Sequence, residues 1–245
     1  MAPPGAPPSS DAEAATVAEV IARLRALSTP RGDGIAEFAR LYLRVTEGVN
    51  AELAGQAFLN PPFLTRLDVA FGNLFLQACA AFERDPATAP KAWAPLFETR
   101  SRRGIAPIQF AVAGMNAHIN RDLPVALVGT CSALALEPRD HSPEHTDFET
   151  VNRLLAVVEA RLKRTYVKGW LAVLSRVLHP LGHLDDVLAM WDVARARDAA
   201  WTNGEALWKL RDTPDLASAF LLTLDRTVGM ASRGLLVPTR ASLFG

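Results

Sequence analysis

Apolar residues recur every three or four positions along most of the chain, which is the spacing of one face of an α-helix. One clear stripe runs from Val17 to Leu27, and Ser10 or Asp11 precedes it as a candidate N-cap. Pro124 interrupts the apolar stretch 104–134 and is predicted to kink or break it. Further helices are predicted over residues 35–58, 63–84, 93–103, 147–166, 170–178, 184–210 and 214–235.

The alternation of apolar and polar residues that is typical of half-buried strands is missing from the sequence. We therefore predict an all-α fold, a bundle of about eight to ten helices. The Pro-rich opening, residues 1–10, is predicted to be a disordered tail, and residues 11–245 a single helical domain.

Composition and motifs argue against several classes of function. Lys plus Arg and Asp plus Glu are 26 each, so no strong field favours nucleic acid as a partner. No run of about 18 apolar residues predicts a membrane span, and the opening lacks the features of a signal peptide. No phosphate loop, dinucleotide fingerprint or nucleophile elbow is present. A cytoplasmic protein is expected, with both cysteines reduced and buried.

The histidines are spaced as metal ligands on helices often are. His118 and Asp122 lie four residues apart, so on a helix both side chains project from one face. His145 and Glu149 repeat this spacing. Imidazole and carboxylate together suit zinc, or iron or manganese at a more oxygen-rich site. The sequence therefore predicts a divalent metal, zinc first, held by His118, Asp122, His145 and Glu149.

The remaining histidines carry less information. His141 stands four residues before His145, and His179 and His183 are four apart around a proline and a glycine, which favours a surface turn. If no metal is bound, we interpret His145 as part of a solvated loop and Glu149 as part of the first turn of the helix that follows that loop.

Polar residues crowd around His118. Asn116, His118, Asn120 and Asp122 stand among apolar residues, where burying polar groups without a purpose is costly. The asparagines flank the His118/Asp122 stripe and are predicted to support the ligands or to hydrogen bond a substrate. Alternatively, Asp122 orients His118 as a general acid or base, or holds it as a core histidine.

The stretch GMNAHINRDLP, with Asp147, Asn152 and the segment WDVARARDAAW, resembles a bacterial all-helical family of unknown function. Some members of that family belong to specialised-metabolite gene clusters, and the resemblance extends from about Arg40 onward. It implies a fold and a family but no activity.

The two His-x3-acid pairs are also similar to those of the zinc-dependent phospholipase C and P1 nuclease family, which is all-helical. That family has a histidine six residues beyond the aspartate, where this chain has Val128, and an N-terminal ligand tryptophan that has no counterpart here. The resemblance implies one or two metal ions, with Asp68 as an additional carboxylate.

Three functions follow from these patterns. The leading hypothesis is a metal-dependent enzyme acting on a small molecule, in which the ion activates water for hydrolysis. The second is a metal-free cyclase or lyase, in which His118 and Asp122 act as an acid-base pair in an apolar pocket. The third is a non-catalytic helical binding module with structural histidines. The oligomeric state is not predicted.

Overall fold

The computed structural model contains only helices, turns and irregular segments in the residues that it describes, so the all-α prediction is confirmed. Those residues are 13–29, 32–53, 58–155 and 193–238. The predicted tail, the predicted helix 170–178, His179 and His183 lie outside these ranges. The α-helices are α1 (Val17–Leu27), α2 (Gly34–Leu53), α3 (Pro61–Arg84), α4 (Ala94–Thr99), α5 (Pro107–Ala117), α6 (Leu123–Ala133), α7 (143–155), α8 (Val193–Leu210) and α9 (Pro214–Leu235).

Side-chain caps set where several of these helices begin, α1 and α3 among them. The Thr16 side chain accepts a hydrogen bond from the Glu19 N–H at 3.2 Å, so α1 begins at Val17 and the predicted cap at Ser10 or Asp11 is wrong. The Asn60 side chain caps α3 in the same way, and a proline follows in the first turn.

Helix α5 is buried along nearly its whole length and packs against α2 and α9. Its contact with α2 is close because a Cβ atom on Gly114 would lie 2.4 Å from the Phe38 ring. Helix α6 continues from the same region and packs against α3 and α8. The α5–α6 segment is therefore the centre of the bundle, and residues at its midpoint are held from several sides.

A single turn of π-helix, His118–Asp122, joins α5 to α6. The Leu123 N–H donates to the His118 carbonyl, five residues back. Pro124 lacks an N–H and crowds the carbonyl of the preceding turn, so this wider turn lets the helical path continue where the sequence predicted a kink or a break. Turns of this kind occur often at functional sites.

Within the described part of the chain, no helix combines the length and the apolar character needed to cross a membrane.

Candidate functional site

The His118 side chain lies in the core, 1% exposed, at the start of the π-helical turn. Its ring stacks flat on Phe71 of α3, with centroids 3.6 Å apart and planes 6° apart. Tyr42 of α2 meets it at a steep angle, with centroids 4.6 Å apart. Phe38, Phe75 and Trp93 complete the aromatic surroundings at 5.6 to 6.2 Å.

The Asp122 carboxylate is fully buried and accepts hydrogen bonds on both oxygens. Oδ2 accepts from the Trp93 indole N–H at 2.9 Å and lies 3.2 Å from His118 Nδ1. Oδ1 accepts from the Arg121 guanidinium at 2.8 Å. The four-residue spacing seen in the sequence thus brings His118 and Asp122 together, and Trp93 and Arg121 fix the carboxylate in place.

These contacts define the protonation state of His118. Burial lowers the pKa of His118 below its usual value, and the hydrogen bond to Asp122 only partly opposes this effect. The ring is therefore neutral near pH 7, and its one proton is on Nδ1, because a carboxylate can only accept. Among the described residues, Nε2 has no hydrogen-bond partner. This nitrogen carries a free lone pair in a dry, aromatic environment.

Three more ionisable groups lie close enough to influence His118 or one another. Burial, then the charges of Asp68 and Asp122, raise the pKa of Tyr42 well above its usual value, so its hydroxyl stays protonated. Desolvation also raises the pKa of Asp68 to about 6 and lowers that of Arg197 to about 10. The charge of Arg197 acts on Tyr42, Asp68 and His118. Tyr42, His118, Asp122 and Arg197 form what we call the buried polar cluster, and Asp68, an exposed residue, acts on Tyr42 through its charge.

Arg197 is held from the opposite side by α7. Its Nε donates to the Asn152 side-chain oxygen at 2.5 Å, and its guanidinium lies over the Phe148 ring at 4.2 Å. Asn152 in turn donates to Asp198 at 2.9 Å. The guanidinium is therefore anchored toward α7, and it acts on the other members of the cluster through its charge.

Asn116 and Asn120 are directed at α9. The Asn116 amide donates to the Val228 carbonyl at 3.1 Å and to the Ser232 hydroxyl at 3.0 Å, and the Asn120 amide donates to the Asn116 side-chain oxygen at 2.9 Å. Asn116 thus bridges α5 and α9 with both of its N–H groups, and Asn120 supports it from the π-helical turn.

His145 and Glu149 lie at the start of α7 in different surroundings. The His145 ring rests against Trp201, with centroids 4.6 Å apart, and its Nδ1 accepts the His141 backbone N–H at 3.1 Å. Its Nε2 is 4.0 Å from an oxygen of Glu149, whose side chain is 54% exposed. His145 thus ties the preceding loop to the first turn of α7, and Glu149 lies beside solvent.

The four predicted metal ligands are not gathered into one group. Within the described ranges, no three His, Cys, Asp or Glu side chains are placed so that they could hold a metal ion together. Both oxygens of Asp122 already accept hydrogen bonds. In the His118/Asp122 pair, His118 Nε2 is the atom that has a free lone pair and no hydrogen-bond partner among the described residues.

Sequence reasoning did not assign Tyr42, Trp93 or Arg197 to the site. Tyr42 and Trp93 look like ordinary core residues, because nothing in the sequence reports their distance from His118. Arg197 did carry a signal: it occupies the apolar stripe of α8 that also holds Val193 and Trp201. An arginine on such a stripe is buried and needs partners.

A family model described as "Family of unknown function (DUF5995)" matches residues 16–238, which is most of the chain. The chain belongs to this family. The part matched by the DUF5995 model extends from α1 to α9 and contains the whole buried polar cluster. The comparison with curated proteins gave no match, and neither did that with solved structures.

The predicted membership of a helical family of unknown function is thus confirmed. The similarity to zinc-dependent phospholipase C and P1 nuclease has no support from these comparisons.

Proposed function

We propose that this protein is a metal-free enzyme, a cyclase or lyase that moves a proton on a largely apolar small molecule. His118 is the general acid-base residue, and Asp122 holds its ring in position. We propose that the enzyme acts in the cytoplasm, in specialised metabolism. The proposed role in specialised metabolism rests on the family resemblance in the sequence.

The observation that carries this proposal is the free Nε2 of a neutral histidine whose Nδ1 is bound to a buried carboxylate. Native proteins rarely leave a buried polar atom without a partner, so each such atom calls for an explanation. A base needs an available lone pair, and the bond to Asp122 stabilises the imidazolium that forms when Nε2 takes a proton.

The surroundings of His118 suit proton transfer. The stacked Phe71 ring excludes water, which strengthens electrostatic interactions near the base. Tyr42 remains protonated because burial raises its pKa, so its hydroxyl can donate to a carbonyl or a leaving group. In this mechanism Nε2 takes a proton from carbon or oxygen of the substrate, and the imidazolium returns it after the bond to the leaving group breaks or the ring closes.

The metal-dependent hydrolase is a second proposal, and the same nitrogen motivates it. A neutral imidazole with a free Nε2 is a good zinc ligand. His118 would supply that nitrogen, with iron or manganese as the alternatives to zinc, and Asp122, His145 and Glu149 are the partners predicted by spacing. Elemental analysis by plasma mass spectrometry separates the two proposals, because about one equivalent of metal that is lost in His118→Ala supports the hydrolase.

The test of catalysis does not require the substrate to be known. A bacterial metabolite extract is incubated in heavy water with the wild-type protein or His118→Gln, and mass spectra are compared over time. We expect metabolites that change mass, by conversion or by deuterium uptake, with the wild-type protein only. Asp212→Asn, at a side chain that is 81% exposed, is the matched control and behaves as wild type.

If both proteins leave every metabolite unchanged, acid-base catalysis by His118 is rejected for the compounds present. A metabolite that stays bound through dialysis without changing mass would instead support the non-catalytic binding module.

A further inference from the structure

A cleft of about 380 Å³ opens between α1 and the first turns of α3. Its volume is within the range of small-molecule sites, about 300–1,000 Å³. Val17, Ile21, Phe58 and Leu64 contribute apolar walls, and Asp68 contributes the carboxylate. A small molecule in this cleft would therefore meet apolar surface and a single charged group.

Asp68 connects the cleft with the buried polar cluster. It lies one helical turn before Phe71, whose ring stacks on His118. Among the charged groups that act on the Tyr42 hydroxyl, Asp68 has the largest effect. The charge of Asp68, which lines the cleft, thus acts on Tyr42, a residue of the buried polar cluster.

The oxygens of the Asp68 carboxylate have lone pairs that no described residue uses. None of the ion pairs within 4.0 Å between described residues involves it, and no hydrogen bond in that part of the structure does either. The positive charge of Arg197 acts on Asp68, but its Nε is bonded to Asn152 and its guanidinium lies over Phe148. The carboxylate can therefore accept hydrogen bonds from a ligand.

The available polar atoms are mainly acceptors. Among the described residues that line the cleft, Asp68 carries the one charge, and its carboxylate can only accept hydrogen bonds. Apart from Thr65, the other lining residues are apolar. A ligand that matches these groups carries N–H donors and a positive charge on an apolar body.

From this arrangement we propose that the α1/α3 cleft binds a small, largely apolar primary amine, with its ammonium group on Asp68 and its apolar body against Val17, Ile21 and Leu64. The inference deepens the proposed function by naming a substrate class, and it rests on that function for the role of His118. The binding step itself does not depend on His118.

The experiment uses three probes with the same hydrocarbon chain: hexylamine, hexan-1-ol and hexanoate. Each is titrated into the full-length protein at pH 7.5 and followed by NMR chemical shifts. We expect hexylamine to bind about tenfold more tightly than hexan-1-ol, because a hydrogen bond to a charged group contributes at least that much, and hexanoate not to bind. In Asp68→Asn the preference for the amine disappears, whereas Asp212→Asn retains it.

Two further variants locate the site and separate the claims. Ala18→Trp fills the cleft and is expected to abolish binding of hexylamine and hexan-1-ol alike. His118→Gln is expected to bind hexylamine within about twofold of wild type. Equal binding of hexylamine and hexan-1-ol, or an amine preference that survives in Asp68→Asn, overturns the amine proposal and leaves the heavy-water test of His118 unaffected.

Discussion

Replacing Asp122 by asparagine removes one buried charge and leaves the shape of the side chain almost unchanged. Its Oδ2 serves both Trp93 and His118, and its Oδ1 serves Arg121. Trp93 Nε1 and His118 Nδ1 are donors, so the asparagine carbonyl oxygen must stay on their side. The new NH2 group then faces the Arg121 guanidinium, which is also a donor, and that hydrogen bond is lost.

The cost follows from these contacts. Losing the charge-assisted bond to Arg121 costs about 2 kcal/mol. The bonds from Trp93 and His118 become neutral, at about 0.5 kcal/mol each. The free energy of unfolding therefore falls by about 3 kcal/mol, which lowers the Tm of a protein of this size by about 6–12 °C.

The assay is urea denaturation with calorimetry at pH 7.5. Asp212→Asn removes the charge of Asp212 from its surface ion pair with Arg211, in which the N···O distance is 3.5 Å, and is expected to alter the free energy of unfolding by less than about 0.5 kcal/mol. Combining Asp122→Asn with Arg121→Gln tests the assignment further, because both changes remove the same contact. The double variant should be less destabilised than the sum of the single variants by about 2 kcal/mol.

An Asp122→Asn protein within about 0.5 kcal/mol of wild type would refute this reasoning. It would mean that Arg121 does not hold Asp122 in solution.

Three other perturbations give independent checks. Asp68→Asn is expected to raise the free energy of unfolding by about 1 kcal/mol at pH 7.5, a value discounted for the exposure of Asp68, since desolvation disfavours its charge. In urea titrations this gain shrinks as the pH falls below 6 and is gone below pH 3.8, where the carboxyl is protonated in the folded and the unfolded chain alike. Because folding lowers the pKa of His118, the unfolded chain binds a proton that the folded protein excludes. The free energy of unfolding of the wild-type protein therefore falls by up to about 1.4 kcal/mol per pH unit below pH 6.5. The same dependence of stability on pH in His118→Gln would contradict a buried neutral ring. Gly114→Ala is expected to lower the free energy of unfolding by about 1–3 kcal/mol, because its Cβ would meet Phe38 at 2.4 Å. A Cβ on Gly129 would meet nothing within 4 Å, so Gly129→Ala is expected to raise the free energy of unfolding by up to about 1 kcal/mol. Thermal melts of the two variants test this difference.

Helix positions were predictable where local chemistry determines them. The bounds of α9 match the prediction for 214–235 because a proline opens that helix and its apolar spacing is regular. The start of α1 was misplaced because Ser10, Asp11 and Thr16 are all good capping residues, and sequence alone does not rank them. The π-helical turn was missed because it depends on packing around Pro124.

The candidate site was predictable only in part, for the same reason. The contact between His118 and Asp122 follows from helical spacing, which is local. The Trp93 partner of Asp122 and the aromatic rings around His118 come from α2, α3 and the segment before α4, and their distances depend on the tertiary fold. Spacing also gave His145 and Glu149 the same weight, although their surroundings differ entirely.

The nitrogen-15 NMR spectrum of His118 tests the central claim most directly, since the two ring nitrogens have distinct shifts when only one is protonated. His118→Gln assigns the signals by their loss. At pH 7.5 we predict a proton on Nδ1 and none on Nε2, which leaves the lone pair that acid-base catalysis needs. A proton on Nε2, or on both nitrogens, would contradict the account.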